Sequence, residues 1–313
     1  MKKIKDYSPL DDATLVVRLS DVQIKKTTTN VDYASMVAFD GNDMIEAKIW
    51  NFSDELRDKL ENGEVYVATG RMKDYQGKMQ FNINDIRKVT KEDDIDLSEF
   101  YEYARIDVEE LQNIIENYIS KIDNNILRET TVKLLKKHYV NYFFYPAAVN
   151  MHHNYYSGLA YHVYSMLTLS DTYLKLYPFI NRSLVYSGII LHDLGKLVEL
   201  SGPKGTEYTK EGKLLGHITI GVNELYNVAS SMGYSESEEI TNLAHIILSH
   251  HGQMEYGSPK EPQTPEAALI HFLDHSDSKL AAIEKEIKKI NKGEYTTPVF
   301  AFDRRIFYLP NLD

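Results

Sequence analysis

The sequence predicts two domains, an N-terminal all-β barrel followed by an all-α helical bundle. The chain has 313 residues, which at roughly 100–200 residues per domain is enough for two domains. Five short apolar-rich segments bounded by turn residues precede residue 90. From about residue 100, apolar residues recur with the helical period of about 3.6. We expect the first domain at residues 1–90, a linker at 91–98, the helical domain at 99–290 and a tail at 291–313.

The first domain is predicted to contain five strands, with one helix between the third and the fourth. Asp40-Gly41-Asn42-Asp43, between the second and third strands, is a strong hairpin signal. Ser53 is predicted to cap the helix, because acidic residues follow it in the first turn. The predicted elements are a strand starting at Thr14, strands Tyr33–Asp40 and Met44–Trp50, a helix through Leu60, and strands Glu64–Arg71 and Gly77–Val89. This order is that of an OB-fold barrel.

Helical periodicity dominates the rest of the chain. The segment KEDDIDLS at residues 91–98 is polar and acidic, as expected for a linker. An apolar stripe at helical spacing follows, formed by Val108, Leu111, Ile114, Ile115, Tyr118 and Ile119. Further helices are predicted at residues 127–138, 158–176, 181–193, 214–231, 236–250 and 264–288.

Composition excludes several classes of protein. There is no cysteine, which excludes disulfides, thiolate nucleophiles and Cys-ligated zinc and fits a cytoplasmic location best. No run of about 18 apolar residues predicts a membrane span, and MKKIKDYSPL lacks the apolar core of a secretory signal. The net charge of -11 argues against a general nucleic-acid coat protein. Nearly all of this charge lies beyond residue 90, where bound metal cations would offset part of it.

Candidate metal ligands stand on five separate apolar helices of the second domain. They are His162, His192 with Asp193, His217, His250 with His251, and Asp274, at intervals of 30, 25, 33 and 24 residues. Unpaired buried polar groups destabilise a fold, so chance is a poor explanation for this repeated pattern. Imidazole and carboxylate ligands suit divalent Mn, Fe, Co, Ni or Zn. The pattern therefore predicts a metal site.

Adjacent His192 and Asp193 reach one site together only at a helix end or a turn, and Gly195 is expected to supply this break. An aspartate has two oxygens, so Asp193 is a candidate bridge between two metal ions about 3.5–4 Å apart. A lone His–Asp pair is also compatible with a capped helix end. A lone buried histidine such as His138 or His271 is usually a satisfied core residue.

The order of these ligands and the segment His192-Asp193-Leu194-Gly195-Lys196 resemble the HD-domain metal-dependent phosphohydrolases over residues 150–285. The resemblance implies a first metal ion held by His162, His192, Asp193 and Asp274. It implies a second ion held by Asp193, His217, His250 and His251. It also implies that Lys196 faces the scissile phosphate. For His152, His153 and His245, a structural role or support of a ligand from behind is at least as compatible with the sequence as ligation itself. Asp277 either supports a ligand in this way or faces solvent.

The predicted barrel has candidate ligand residues of its own. Ligands of an OB-fold lie across strands two and three and in the neighbouring loops. Aromatic side chains there stack on bases, and cationic side chains follow the backbone. The candidates are Tyr33, Trp50, Tyr75 and Phe81 for stacking, and Lys25, Lys26, Arg71, Lys73 and Lys78 for the backbone. The alternative is that the aromatics are core residues and the lysines a solvated face.

Three further segments extend the resemblance to nearly the whole chain. They are Lys26-Thr-Thr-Thr29, Glu46-Ala-Lys-Ile-Trp50 and Pro146-Ala-Ala-x-x-Met-His-His153. With them, the chain resembles the YhaM family of bacterial 3'→5' exoribonucleases. The usual Gly-Gly-Leu-Leu-Glu-His segment of that family is present as Ser157–His162, which keeps the histidine and one glycine but not the acid.

This resemblance implies a mechanism and its cofactors. The barrel would hold single-stranded RNA, or short single-stranded DNA, and deliver its 3' end to two divalent transition-metal ions. Manganese or cobalt is favoured, and iron or nickel is compatible. An activated water would attack the last phosphodiester in line, with Asp193 and Lys196 as catalytic residues, and a nucleoside 5'-monophosphate would leave.

Two other functions are compatible with the sequence. One is an HD-domain hydrolase of a small nucleotide, in which the barrel is structural or regulatory. The other is a single-strand nucleic-acid-binding protein with a vestigial metal site. In the tail, Arg304 and Arg305 stand beside aromatic residues, where they either contact RNA or pack a subunit interface of a homo-oligomer.

Overall fold

Alternating apolar residues build a closed five-stranded barrel in the first part of the chain. The computed structural model describes residues 2–50, 52–57, 59–148, 155–204 and 206–312. The strands are β1 (Asp12–Lys26), β2 (Asp32–Phe39), β3 (Met44–Ile49), β4 (Val65–Tyr75) and β5 (Lys78–Lys88), in the order β1-β2-β3-β5-β4 around the barrel. Only the β3–β5 pair is parallel among the strand pairs described. With α1 (Asp54–Arg57) between β3 and β4, the predicted OB-fold order is confirmed.

The β2–β3 hairpin is fixed by the side chain of Asp40, which is 1% exposed. Its Oδ1 accepts hydrogen bonds from the backbone N–H groups of Asn42 and Asp43, at 2.9 and 2.8 Å. Gly41 adopts φ +95°, a left-handed conformation that favours glycine. The turn therefore sets the register that places Tyr33 and Trp50 at the far end of the same two strands.

Nine helices form the described part of the second unit. They are α2 (Val108–Ser120), α3 (Asn125–Lys137), α4 (Tyr139–Phe144), α5 (Gly158–Leu176), α6 (Arg182–Leu191), α7 (Lys196–Glu199), α8 (Lys210–Ser230), α9 (Glu238–Ser249) and α10 (Pro265–Ile287). The predicted all-α class is confirmed. The predictions omitted α4 and α7, because helices of six and four residues are too short to show a period.

Helix α6 occupies the centre of this unit. It packs against α3, α5, α9 and α10, and eight of its ten residues are buried. Gly188 permits this packing, because a Cβ atom there would lie 2.5 Å from Ile270 Cδ1 and 3.0 Å from Ile246 Cγ2. A helix apolar on all sides is expected in such a central position, and its C-terminal end delivers His192 into the interior of the bundle.

The chain divides into two compact units with different limits from those expected. The first contains Met1–Glu102 with Lys204–Thr206, and the second contains Tyr103–Pro203 with Glu207–Asp313. The expected linker at residues 91–98 lies in the first unit and includes the 3-10 helix Lys91–Asp93. The domain limits derived from the sequence therefore stay predictions.

The turn His192–Gly195 separates α6 from α7, as the adjacent His–Asp pair requires. The expected break is present at Gly195, which has φ -59° and ψ -21° and therefore ends the turn without a left-handed conformation. Its role is close approach to α8, because a Cβ atom at this position would lie 2.0 Å from the carbonyl oxygen of His217. The short α7 can therefore lie directly against the start of the His217 segment.

We expect Gly195→Ala to lower the free energy of unfolding by about 1–3 kcal/mol, because the added methyl group forces α7 and α8 apart. Calorimetry of the cation-free protein measures this change. Gly221→Ala is the matched control, since its Cβ atom would lie at an ordinary 3.4 Å from Ile247 Cγ2. Equal stability of the two variants would contradict the close-approach role of Gly195.

Candidate metal centre and nucleic-acid interface

The candidate ligands of the helical unit converge from five segments. His162 lies in α5, His217 in α8, and Asp274 in α10, while the other ligands are in the turn after α6 (His192 and Asp193) and at the end of α9 (His250 and His251). His217 directly follows Gly216, whose φ of +71° and ψ of 153° interrupt α8. The ring centroids of His192 and His250 are 5.0 Å apart, and those of His217 and His251 are 5.2 Å apart. Residues far apart in sequence therefore form one cluster.

The cluster consists of two groups of ligand atoms. The inner group is His162, His192 and Asp193, and the outer group is His217, His250 and His251. Within each group, the atoms available for ligation all lie within 4.8 Å of one another. Asp274 adjoins the inner group, with its Oδ1 atom 3.3 Å from His162 Nε2.

Asp193 stands between the two groups. Its Oδ2 atom lies 3.3 Å from His192 Nε2, whereas its Oδ1 atom lies 3.6 Å from His217 Nε2 and 3.7 Å from His250 Nε2. The residue is only 2% exposed, so water cannot replace these neighbours. One carboxylate thus presents a different oxygen to each group, as a bridging ligand does.

One nitrogen of each histidine ring is engaged by a group that can only accept a hydrogen bond. The Nδ1 atoms of His192 and His250 each lie 2.8 Å from a backbone carbonyl oxygen three residues earlier. The remaining Nδ1 contacts are His251 with Tyr256 O at 2.7 Å, His162 with Asp277 Oδ2 at 2.6 Å, and His217 with both Glu199 oxygens at 3.1 Å. The proton therefore resides on Nδ1, and in the neutral ring Nε2 presents its lone pair.

Several of the opposing atoms are buried without a hydrogen bond. Among the described residues, no hydrogen-bond partner is found for Asp193 Oδ1 or for the Nε2 atoms of His192, His217 and His250. Buried polar atoms of this kind destabilise a fold unless something satisfies them. Divalent cations with nitrogen and oxygen ligands would satisfy these atoms, so the residues fit a metal site.

Two carboxylates hold histidines from behind, and sequence analysis identified only one of them. Asp277 hydrogen-bonds His162, which favours the supporting role over the solvent-facing one. Glu199, which the sequence analysis missed, contacts both the ring and the backbone N–H of His217, the latter at 3.0 Å. No spacing rule connects Glu199 to a residue 18 positions away across the kink at Gly216.

The electrostatics of the inner group favour ionised carboxylates. Burial opposes the charge on Asp193, but Lys196 and His192 hold the pKa of its carboxyl well below the usual range. Lys196 Nζ lies 2.7 Å from Asp193 Oδ2. Burial lowers the pKa of this ammonium, but the negative charge of Asp193 outweighs that effect and raises the pKa. Burial likewise lowers the pKa of His162, yet Asp274 and Asp277 on its two nitrogens raise that pKa to about 10.

In the outer group, burial favours the uncharged form of the imidazoles of His250 and His251. Burial lowers the pKa of His250 well below its usual value, and it also lowers the pKa of His251. Glu199 stays ionised, because its hydrogen bond to His217 lowers the pKa of the carboxyl against the effect of burial. Neutral imidazoles are the form that binds a metal ion.

Three further histidines of the described chain have hydrogen-bond or ionic partners that explain them. His271 Nδ1 lies 2.8 Å from the carbonyl oxygen of His250, and His245 Nε2 accepts a hydrogen bond from Gln263 N at 2.9 Å. His138 Nε2 lies 3.3 Å from Glu224 Oε2. His152 and His153 lie outside the described residues.

The barrel carries an exposed aromatic platform, which we define as Tyr33, Trp50 and Tyr75. The rings of Tyr33 and Trp50 are stacked with centroids 4.8 Å apart, and Trp50 Nε1 donates to Asn82 Oδ1 at 3.1 Å. Lys48 Nζ lies 5.6 Å from the ring centroids of both Trp50 and Tyr75. Trp50 and Tyr75 are 44% and 51% exposed. The platform is therefore open to a flat ligand beside a cation.

The remaining barrel candidates differ in what surrounds them. Phe81 is fully buried in the barrel core, which favours the core alternative for this residue over base stacking. Lys26 pairs with Asp32 at 3.0 Å, and Arg71 Nε donates to the Leu10 carbonyl oxygen at 3.0 Å. The other cationic candidates are exposed, namely Lys25, Lys73 and Lys78.

The two arginines of the tail are exposed at a hairpin formed by the bridge between Val299 and Arg305. Arg304 Cζ lies 5.2 Å from the Phe300 ring centroid, and Arg305 lies 3.9 Å from Asp303. Both the RNA contact and the subunit contact stay predictions for these arginines. None of the described helices is both long enough and apolar enough to span a membrane.

Comparison with known proteins matches both units. The family model of the HD domain matches residues 159–279, and that of the OB-fold nucleic acid binding domain matches residues 13–89. A protein of Geobacillus sp. (strain WCH70) called 3'-5' exoribonuclease YhaM is 42% identical over 309 residues, which cover 99% of this chain and 95% of the relative.

Solved structures match about a quarter of the chain. A domain of replication protein A from Methanococcus maripaludis is 22% identical, with a TM-score of 0.25, and the match covers 28% of this chain and 93% of that domain. The protein PriB from Ralstonia solanacearum is 16% identical, with a TM-score of 0.22, and the match covers 26% of this chain and 99% of that protein.

We expect cation binding to the inner group to release a proton from His162. With a pKa of about 10, this ring carries both protons at neutral pH, and a cation on Nε2 must displace one. Affinity for Mn²⁺ should therefore rise about tenfold per pH unit between pH 6 and 8. Calorimetric titration in buffers of different ionisation enthalpy counts the released protons. Asp277→Asn should reduce this count, and an unchanged count would contradict the prediction.

Proposed function

The chain belongs to the YhaM family of 3'-5' exoribonucleases, and from this premise we propose that it removes nucleotides from the 3' end of single-stranded RNA with the help of two divalent ions. It is a metal-dependent hydrolase with an HD domain and a nucleic-acid-binding OB-fold. The observation that carries the two-ion proposal is the position of Asp193, whose two oxygens face two separate groups of imidazole nitrogens.

The proposed ligands follow the two groups. One ion would be held by His162, His192, Asp193 and Asp274, and the other by Asp193, His217, His250 and His251. The donor set of imidazoles and carboxylates suits manganese, which we propose, and is also compatible with cobalt, iron or nickel.

The charge of the site supports two ions rather than one. Once cation binding has removed the second proton of His162, the four carboxylates of Asp193, Glu199, Asp274 and Asp277 would surround neutral ligand histidines and face the single ammonium of Lys196. The resulting excess of about three negative charges repels an RNA phosphate, and the site would remain negative with a single divalent ion bound. Two divalent ions reverse the sign, so an anionic substrate is attracted.

Bound divalent ions supply a water of lowered pKa and stabilise charge on the phosphate oxygens. The residues of the chain supply position and charge. Asp193 separates the two groups and fixes Lys196 through their 2.7 Å ion pair. Lys196 remains protonated there, and we propose that its ammonium neutralises an oxygen of the scissile phosphate.

The aromatic platform supports the choice of a single strand as substrate. Stacking on Tyr33, Trp50 or Tyr75 requires bases that are not enclosed in a duplex. Lys48 lies beside the rings of Trp50 and Tyr75, although it already pairs with Glu46 at 3.1 Å. Stacking does not detect the ribose 2'-OH, so short single-stranded DNA is a second proposed ligand. The cytoplasmic location and the homo-oligomer stay predictions from the sequence.

We expect Asp193→Asn to lower kcat on single-stranded RNA by roughly three orders of magnitude or more, as loss of a central catalytic group does. The assay uses RNA with a free 3' end and Mn²⁺, with 3'-blocked RNA of the same sequence to establish direction. Asp303→Asn changes an exposed acid of the same unit and is the control. Digestion by Asp193→Asn at the unmodified rate would exclude the proposed mechanism.

Trp50→Ala is expected to raise KM for single-stranded RNA about 5-fold to 100-fold, corresponding to about 1–3 kcal/mol of lost stacking, with kcat little changed. Hydrolysis of bis-p-nitrophenyl phosphate, which has no nucleobase, should not change. Met44→Ala removes another exposed side chain of the same hairpin and is the control. A KM for RNA that is the same in Trp50→Ala and Met44→Ala would refute the role of the platform.

A further inference from the structure

We propose that the two ions differ in how firmly they are held: the inner group retains its ion, and the outer group exchanges its ion with solvent, at an affinity set by Glu199. This inference rests on the proposed two-ion function. It adds an exchangeable metal site and a positioning residue, Glu199, that sequence analysis did not identify.

Burial distinguishes the two groups. His162 and His192 are fully buried and Asp193 is 2% exposed, so every member of the inner group is shielded from water. In the outer group, His250 is fully buried, but His217 and His251 are both partly exposed. Ligand exchange proceeds by stepwise entry of water. The outer ion would have two partly exposed ligands, whereas the inner ion would have one, Asp274, whose side chain is 14% exposed.

Charge distinguishes the groups in the same direction. The inner group has two carboxylates beside its histidines, Asp193 and Asp274, each 3.3 Å from an imidazole nitrogen. The outer group shares only the second oxygen of Asp193, at 3.6 Å or more from its nitrogens. Its other members are imidazoles, which contribute no negative charge. A divalent ion is therefore attracted more weakly to the outer group.

Glu199 compensates for this difference without being a ligand. Among the described residues, it is the carboxylate that hydrogen-bonds the outer group, with both oxygens 3.1 Å from His217 Nδ1. A carboxylate behind a histidine fixes the tautomer and makes Nε2 a stronger donor to the metal. His250 and His251 have only neutral carbonyl oxygens behind them.

Glu199 also fixes the backbone at His217. Gly216 interrupts α8, so the N–H of His217 donates to Glu199 Oε1 at 3.0 Å instead of bonding within the helix. Gly212 lets the backbone of Glu199 lie directly against α8, because a Cβ atom at position 212 would lie only 2.2 Å from the Glu199 carbonyl oxygen. Loss of the carboxylate thus affects the direction of the imidazole as well as its basicity.

The chain offers a matched pair of variants. Glu199→Gln keeps the shape and one acceptor oxygen but removes the charge behind the outer group. Asp277→Asn makes the same change behind His162 of the inner group, where Oδ2 lies 2.6 Å from Nδ1. Neither residue is a proposed metal ligand, and the two changes act on opposite groups.

The test uses the full chain, stripped with a chelator and titrated with Co²⁺ alone. Equilibrium dialysis with elemental analysis gives the number of bound ions and their affinities. Release into excess chelator, followed by cobalt absorbance, gives their exchange rates. We expect two ions in the unmodified protein, released in a fast and a slow phase. Glu199→Gln should weaken the more weakly held ion 10-fold to 100-fold, the usual effect of losing such a partner, and leave the other unchanged.

Asp277→Asn should instead weaken the more tightly held ion. Each outcome has a definite consequence. A stoichiometry below two in the unmodified protein overturns the two-ion function, and the inference with it. The inference is overturned, while the proposed function stands, if the unmodified protein binds two ions but releases them in a single phase. The same conclusion follows if Glu199→Gln changes neither affinity or lowers the affinities of both ions by the same factor. Circular dichroism of each variant verifies that the helices are intact, so a general loss of structure is not mistaken for a selective effect.

Discussion

The buried carboxylate of Asp193 is the group on which the geometry of the helical unit depends. An ionised side chain that is 2% exposed is destabilising by several kcal/mol unless nearby charges and hydrogen bonds compensate. Lys196 supplies one such charge from the next turn. Helix α6 must end before His192 so that Asp193 and Lys196 both face inward. The turn that follows fits only because Gly195 allows α7 to contact the backbone of His217. Packing, charge and ligand position are thus linked at one residue.

The residues that cluster at the candidate metal centre could be identified because histidine and aspartate are rare types on apolar helices, and the order of His162, His192 and His217 preserves that signal. The residues behind them gave no comparable signal. Glu199 ends a helix of four residues, where an acid is usually solvated, and reaches its partner only because Gly216 redirects α8. Its role depends on a tertiary contact, which periodicity does not report.

In the barrel, the strand order could be predicted because its determinants are local, as the Asp40 turn shows. The direction of individual side chains was harder to predict. Trp50 and Phe81 are both aromatic residues in or next to a strand, yet one is 44% exposed and the other fully buried. The β1–β2 register shifts between Ser20 and Gln23, so inside and outside cannot be counted along the whole strand. Closure of the barrel decides which face each residue occupies.

The contact between Trp50, Tyr33 and Asn82 has a consequence for movement along a strand. The indole is already stacked and hydrogen-bonded, so it loses little rotational freedom when a base arrives, and an ordering penalty of about 0.5–1.5 kcal/mol per side chain is reduced. A ring face makes similar contact with every nucleobase. If the platform binds bases as proposed, each one-nucleotide step would exchange one stacked base for an equivalent one. The free-energy profile for sliding would then be nearly level, and the strand would advance without sequence-dependent pauses at this surface.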